Sequence, residues 1–344
     1  MNLTTAAAKT SSENATISSR SVPSKAEGVA LSAAFILIFA FIIVGNSLTI
    51  VVFAVNRSLR KRSLLLVINM AFADLMLGIL SLPIYIYTVG RSFQLWTGGW
   101  SMSLSIFYRI VDTFFSQGSL ISAAFISGER FYAIQRPFKH RTLSMRAYRV
   151  MIFTVWVLTL LFATLLSTLF SLISYKRAVY VWTPYVLILI FIICGCNIGI
   201  WRRFRHGSIA SQQQNRDSLN KRLTKTLMFA SFLVSLSWLP LVIFNCLIYV
   251  FDVQIPLKYY YMVNVINFSN SFANPVVYAL RIPESREALA LCCLRRPAAS
   301  NIEINLSRNE KTFALTPATE LRTPRTETSD LQLAFEQEVM ETEL

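Results

Sequence analysis

The chain has 344 residues, of which 54% are hydrophobic and only 15% charged. Soluble domains carry roughly 25% charged residues, so a row of soluble domains is excluded, and the recurring apolar runs of about 20 residues match the hydrocarbon thickness of a bilayer. The net charge of +15 does not signal nucleic-acid binding, because the basic residues sit in short loops between apolar runs.

Residues 1–28 are rich in Ser, Thr and Ala and read as a disordered N-terminal segment. Sequons at Asn2-Leu3-Thr4 and Asn14-Ala15-Thr16 make Asn2 and Asn14 candidate glycosylation sites. Similar triplets start at Asn56, Asn267 and Asn305, where no glycan is expected. The first 25 residues lack the charged, apolar, small-residue order of a cleaved signal peptide, so the first apolar run is expected to act as the anchor. Seven apolar segments follow, at roughly 29–55, 63–88, 102–134, 149–172, 179–201, 224–250 and 258–280. The third is broken by Arg109 and Asp112 and has the weakest hydropathy signal. An eighth stretch, within 281–296, mixes apolar residues with Glu284, Arg286, Glu287 and Arg295. It is too short and too charged to span, and is expected to lie on the membrane surface as an amphipathic helix. Residues 297–344 are polar and acidic and are expected to be disordered. The expected fold class is all-α: a seven-transmembrane helix bundle over 29–280 with a short cytoplasmic amphipathic eighth helix.

Orientation follows from Lys and Arg in the loops. The first, third and fifth loops hold sixteen, the alternate loops four. The basic loops are therefore cytoplasmic, which puts the N-terminus outside and the C-terminus inside. The five cysteines, Cys194, Cys196, Cys246, Cys292 and Cys293, offer no outward-facing pair, so no extracellular disulfide framework is expected. Only His140 and His206 exist, both in cytoplasmic loops, and no metal-ligand cluster, Gly-rich phosphate loop or nucleophile–base pair is visible. An enzyme is not expected.

Carboxylates inside membrane spans are costly and point to function. The spans hold three: Asp74 in the second, Asp112 in the third and Glu129 at the inner end of the third. Asp112 and Arg130 are 18 residues apart, about five helical turns or roughly 27 Å along one face. Ser119 lies about two turns below Asp112 on a similar face. One helix thus joins an outward acid to an inward base. The plainer readings are a snorkelling interface cation for Arg130 and an ion pair with Arg109, three residues back, for Asp112. Asn46, Asn69, Asn264, Asn267, Asn270 and Asn274 add amides at depth. Each alone is explained by an interhelical hydrogen bond; together with Asp74 they argue for a connected polar core. Pro240 and Pro275 kink the sixth and seventh spans, as hinges or as tolerated packing kinks.

These residues resemble the signatures of a rhodopsin-like (class A) G-protein-coupled receptor, over roughly 29–295. The pattern runs in order: Gly45-Asn46, Asn69 to Leu75 around Asp74, Glu129-Arg130-Phe131, Trp156, Ser237-Trp238-Leu239-Pro240, and Asn270 to Tyr278 with Asn274-Pro275-x-x-Tyr278. The resemblance implies that Glu129 holds Arg130 inactive until it is released towards a heterotrimeric G protein. It implies that Trp238 is a rotamer switch under the ligand pocket, with Pro240, Asn274, Pro275 and Tyr278 rearranging. It implies a sodium site at Asp74, Ser119, Asn270 and Asn274, no other metal or cofactor, and palmitoylation at Cys292 and Cys293. A receptor kinase and an arrestin would act on Thr and Ser residues of the tail, for which plain disorder is an equal reading. The implied place is the plasma membrane.

Departures narrow the reading. Ser105 stands about where the family has its third-helix cysteine, and the second outer loop, about Ser174 to Val181, has none, so the usual disulfide is expected to be absent. Pro184 and Asn197 cannot both align to the family's fifth-helix positions, and Asn220 replaces an acid that locks Arg130 in some members. Phe268 stands where a photopigment needs lysine, which excludes that class. Asp112 falls where amine receptors hold an ammonium, and Trp238, Asn245, Asn264 and Phe268 are implied to face the same ligand. Leu241 and Val242 depart from the amine receptors' phenylalanine pair, so a peptide, and a lipid or other ligand, stay open beside a small amine. From other classes, a transporter would show repeats and a channel a filter or charged ring; neither is seen.

Overall fold

The computed structural model describes residues 24–55, 62, 64–99, 101–206 and 214–281, with backbone alone at 54–55, 171, 206, 214–223 and 278–281. Seven long helices follow in order: α1 Lys25–Val55, α2 Leu64–Ser92, α3 Met102–Gln135, α4 Met145–Thr168, α5 Tyr175–His206, α6 Gln214–Asn245 and α7 Leu257–Arg281. Wider π turns interrupt α2 at Leu77–Ser81 and extend α4 and α6 at Leu169–Ile173 and Cys246–Val250. Consecutive helices pack as neighbours, α7 returns to α1, and α3 touches α2, α4, α5 and α6. Among the described residues there is no strand. The expected sequons, eighth helix, paired cysteines 292–293 and tail all lie outside the described residues.

The side-chain distribution is that of a bundle in lipid. On α4, Val155 and Leu166 are fully buried while Phe153 and Leu161 are more than half exposed. Such an apolar face is a liability in water and the normal outer surface in a bilayer, where backbone polar groups are satisfied within each helix. Inside, α3 buries mostly small and polar residues, among them Gly118, Ser119, Ser122, Ala123 and Ser127, which lets four helices approach it closely. Gly45 does the same between α1 and α7: a Cβ there would stand 3.0 Å from the Pro275 ring.

Among the described residues, six helices are long and apolar enough to cross a membrane by composition alone. The helix that falls short is α7, not α3 with its Arg109 and Asp112. The cause is the amide run Asn264, Asn267, Asn270 and Asn274, of which Asn264 and Asn267 line the cavity and Asn274 bonds to Asp74 of α2. A second difference lies between α4 and α5. The expected outer loop from Ser174 to Val181 reduces to Ser174. Its extended backbone (φ −173°, ψ 155°) ends the π turn, and its Oγ accepts from the Arg177 N–H at 3.2 Å, capping α5. The fifth span is one helix that continues through Pro184.

Amides tie the helices together. Asn46 Nδ2 donates to the Ile42 carbonyl at 3.1 Å and across to the Ser271 carbonyl of α7 at 2.9 Å. Asn69 joins three helices: its Nδ2 donates to Ser122 Oγ of α3 at 3.0 Å, and its Oδ1 accepts from Trp156 Nε1 of α4 at 2.8 Å. Replacing Asn69 with Ala strands the indole N–H, at a cost of about 1–3 kcal/mol. The expected outcome is a lower thermal midpoint for detergent-purified Asn69→Ala; an unchanged midpoint would show that the three-helix bridge contributes nothing.

Candidate functional site

The site consists of three polar levels stacked along α3. At one end, a cavity of about 590 Å³ opens among α2, α3, α5, α6 and α7, and Asp112, Trp238, Asn245, Asn264 and Phe268 all lie on its wall. Asp112 Oδ1 accepts from Ser81 Oγ of α2 at 2.6 Å, with Tyr108 beside it. The alternative pairing of Asp112 with Arg109 is not made: Arg109 Nη2 donates instead to Ser105 Oγ at 3.1 Å, and its Nε is buried without a partner. Aromatic rings form much of the wall. Tyr85 stacks on Tyr108 with centroids 6.0 Å apart, and Trp182 leans on Trp238 at 6.3 Å. An acid inside an aromatic enclosure suits a cation through charge and cation–π attraction. Asn264 and Asn245 donate to carbonyls of their own helices, both at 2.9 Å, which leaves Asn245 Oδ1 buried and unpaired.

Sequence reasoning missed Ser81, Tyr85 and Tyr108. The cause is local. The π turn at Leu77–Ser81 adds a residue to α2, and one residue is about 100° of rotation. Helical spacing counted from Asp74 therefore misplaces everything beyond it. The only hint was Pro83, just after the turn.

The middle level surrounds Asp74, which is fully buried. Ser271 Oγ donates to its Oδ1 at 2.8 Å, and Asn274 Nδ2 to its Oδ2 at 3.3 Å. The expected cation ligands Ser119 and Asn270 are buried as well; Ser119 stands beside the Asp74 carboxylate, and neither its Oγ nor Asn270 Oδ1 makes a regular hydrogen bond. Ser271 was not singled out by the sequence; its signal was its position, three residues before Asn274 in the same polar run.

The third level closes the other end. Glu129 takes a two-point bond from Arg130, with Nε at 2.5 Å and Nη2 at 2.7 Å. Tyr148 of α4 donates its hydroxyl to Glu129 Oε1 at 2.8 Å, and His140 Nε2 lies 2.6 Å from the same oxygen. Both Glu129 and Arg130 are about 95% shielded, so Arg130 is not a snorkelling surface cation. His140 and Tyr148 were not expected. They come from the turn Pro137–Arg141 and the start of α4, and nothing in their spacing announces a shared partner. Trp238 lies in α6 on the cavity wall, with Pro240 two residues on, and Asn274 and Pro275 lie in α7. The side chains of Tyr278 and Asn220 fall outside the described residues.

Residues 45–278 match the family model described as "7 transmembrane receptor (rhodopsin family)", and the chain belongs to that family. It is a multi-pass membrane receptor rather than an enzyme, and the transporter and channel alternatives are set aside. Adenosine receptor A3 from Ovis aries is 25% identical over 77% of this chain and 91% of its own length. The same receptor from Canis lupus familiaris is 25% identical over 74% of this chain and 88% of its own. Histamine H4 receptor from Mus musculus is 29% identical over a shorter stretch, 36% of this chain and 31% of its own.

Proposed function

We propose that the chain is a plasma-membrane receptor, N-terminus outside, that binds a small amine at Asp112 and signals through Arg130 to a heterotrimeric G protein. The observation that carries this reading is the state of Asp112: a carboxylate in an aromatic cavity, hydrogen-bonded to Ser81 but not ion-paired with the neighbouring arginine. A volume of about 590 Å³ is that of a small-molecule site, which favours an amine over a peptide. The histamine H4 receptor among the similar proteins is named for an amine. The adenosine A3 receptors are named for a ligand that does not itself call for a carboxylate.

Transmission is a population shift. An agonist that binds one packing of the helices better biases the bundle towards it. Trp238 lines the cavity two residues before Pro240, so a ligand pressing on it acts on α6 at the proline-weakened turn. In the resting packing Glu129 holds Arg130; release frees a guanidinium at the cytoplasmic face for the G protein. Asp74, with Ser119, Asn270 and Asn274, has the oxygen set of a small hard cation. The two unpaired oxygens among them support a sodium ion there, and a bound sodium would neutralise Asp74 and favour the resting state. Palmitate on Cys292 and Cys293, glycans on Asn2 and Asn14, and a receptor kinase with an arrestin acting on the tail complete the proposal on sequence grounds.

Two outcomes are expected. In cells expressing the full chain and screened with amines, Asp112→Asn lowers potency about 30-fold or more, the scale of leaving a buried charge unpaired; an undiminished amine response would remove the anchor. Sodium chloride raises the thermal midpoint of the purified protein above that in choline chloride. Asp74→Asn abolishes this difference, and a sodium effect that survives the substitution would contradict the site.

A further inference from the structure

Arg109 is a cationic residue on the cavity wall that a simple amine leaves unexplained. Among the described residues around the cavity, only Arg109 and Asp112 carry a formal charge. They stand three residues apart on α3, so their Cβ atoms are about 5–6 Å apart on one face. Neighbours of opposite charge at that spacing ordinarily neutralise each other. Here each is turned to a serine of its own: Asp112 to Ser81 at 2.6 Å, and Arg109 to Ser105 at 3.1 Å. Arg109 keeps a further donor in reserve, its Nε–H, which is buried and has no partner. A ligand bringing only a positive charge to Asp112 would sit within one helical turn of this guanidinium and be repelled by it. A ligand that also carries a carboxylate converts that repulsion into a charge-assisted hydrogen bond, for which the planar guanidinium edge is shaped.

The geometry points to a zwitterionic ligand: a small amino acid whose ammonium meets Asp112, whose carboxylate meets Arg109, and whose apolar or aromatic side chain packs on the tyrosine and tryptophan wall. This assignment rests on the Asp112 anchor proposed above and adds a second anchor of opposite sign. Arg109 is then a specificity-determining residue, selecting amino acids over the amines that lack their carboxylate. Ser105 positions it by holding Nη2, and the ligand carboxylate meets the guanidinium at the cavity wall.

The test uses matched pairs on cells expressing the full chain, with surface expression verified: phenylalanine against phenethylamine, tryptophan against tryptamine, and histidine against histamine. Binding is read in parallel by thermal shift of the purified protein. In the wild type, at least one amino acid is expected to be tenfold or more stronger than its paired amine. Arg109→Gln is expected to lose that response while the paired amine holds or gains, and Arg109→Lys to retain part of the preference. A purely structural arginine would weaken both members of a pair alike. Amines outperforming their amino acids in the wild type, with a ratio that Arg109→Gln leaves unchanged, would overturn the zwitterion assignment and leave the amine anchor standing. The absence of any response or thermal shift with all three amino acids would overturn it too. An amine response that Asp112→Asn leaves intact would instead sink the underlying anchor.

Discussion

A carboxylate within a membrane-spanning bundle has to be answered by donors, and the way each of three carboxylates is answered organises this protein. Glu129 is answered most completely, by both ends of the Arg130 fork, by Tyr148 and by His140. Asp74 takes Ser271 and Asn274. Asp112 takes Ser81, with Tyr108 alongside. The same constraint that makes Glu129 a tight closure makes Asp112, in a cavity and short of a counter-charge, the place where a ligand can supply what the protein does not.

The helices between these levels are held by side-chain hydrogen bonds that cross helix boundaries. Asn46 joins α1 to α7, Asn69 joins α2 to α3 and α4, and Asn197 Nδ2 joins α5 to Ser231 of α6 at 3.1 Å. Within lipid there is no hydrophobic drive between helices, and such bonds contribute on the order of 0.6 kcal/mol each. Exchanging a few of them costs little, so two packings of one bundle lie close in free energy. That is the condition under which a ligand's differential affinity can shift the population.

The seven helices were legible in the sequence because a bilayer enforces both length and apolarity, and the observed boundaries fall within about five residues of the apolar runs except at the start of α6, which begins ten residues earlier at Gln214. The exceptions are instructive. Ser174 reads as loop by composition but caps α5, since capping depends on one hydroxyl rather than on average polarity. Asp112, Trp238, Asn245, Asn264 and Phe268 reach one cavity as their motif positions imply. Ser81 could not be found that way, because the π turn breaks the helical phase on which spacing arguments rest. His140 and Tyr148 were hidden for a different reason. They meet Glu129 from two separate elements after the chain turns back, and only the folded path brings them together.

The closure at Glu129 is the element on which the proposed signalling depends, and it can be opened without disturbing the cavity. The most direct measurement is ligand-free nucleotide exchange by a purified G protein with the reconstituted receptor, comparing wild type with Glu129→Gln. The substitution keeps the side chain's size and removes the charge that holds Arg130. The predicted result is a basal exchange rate several-fold above wild type at equal receptor density. A rate equal to or below wild type, from a receptor that still responds to ligand, would contradict the role of the Glu129–Arg130 closure as the resting lock.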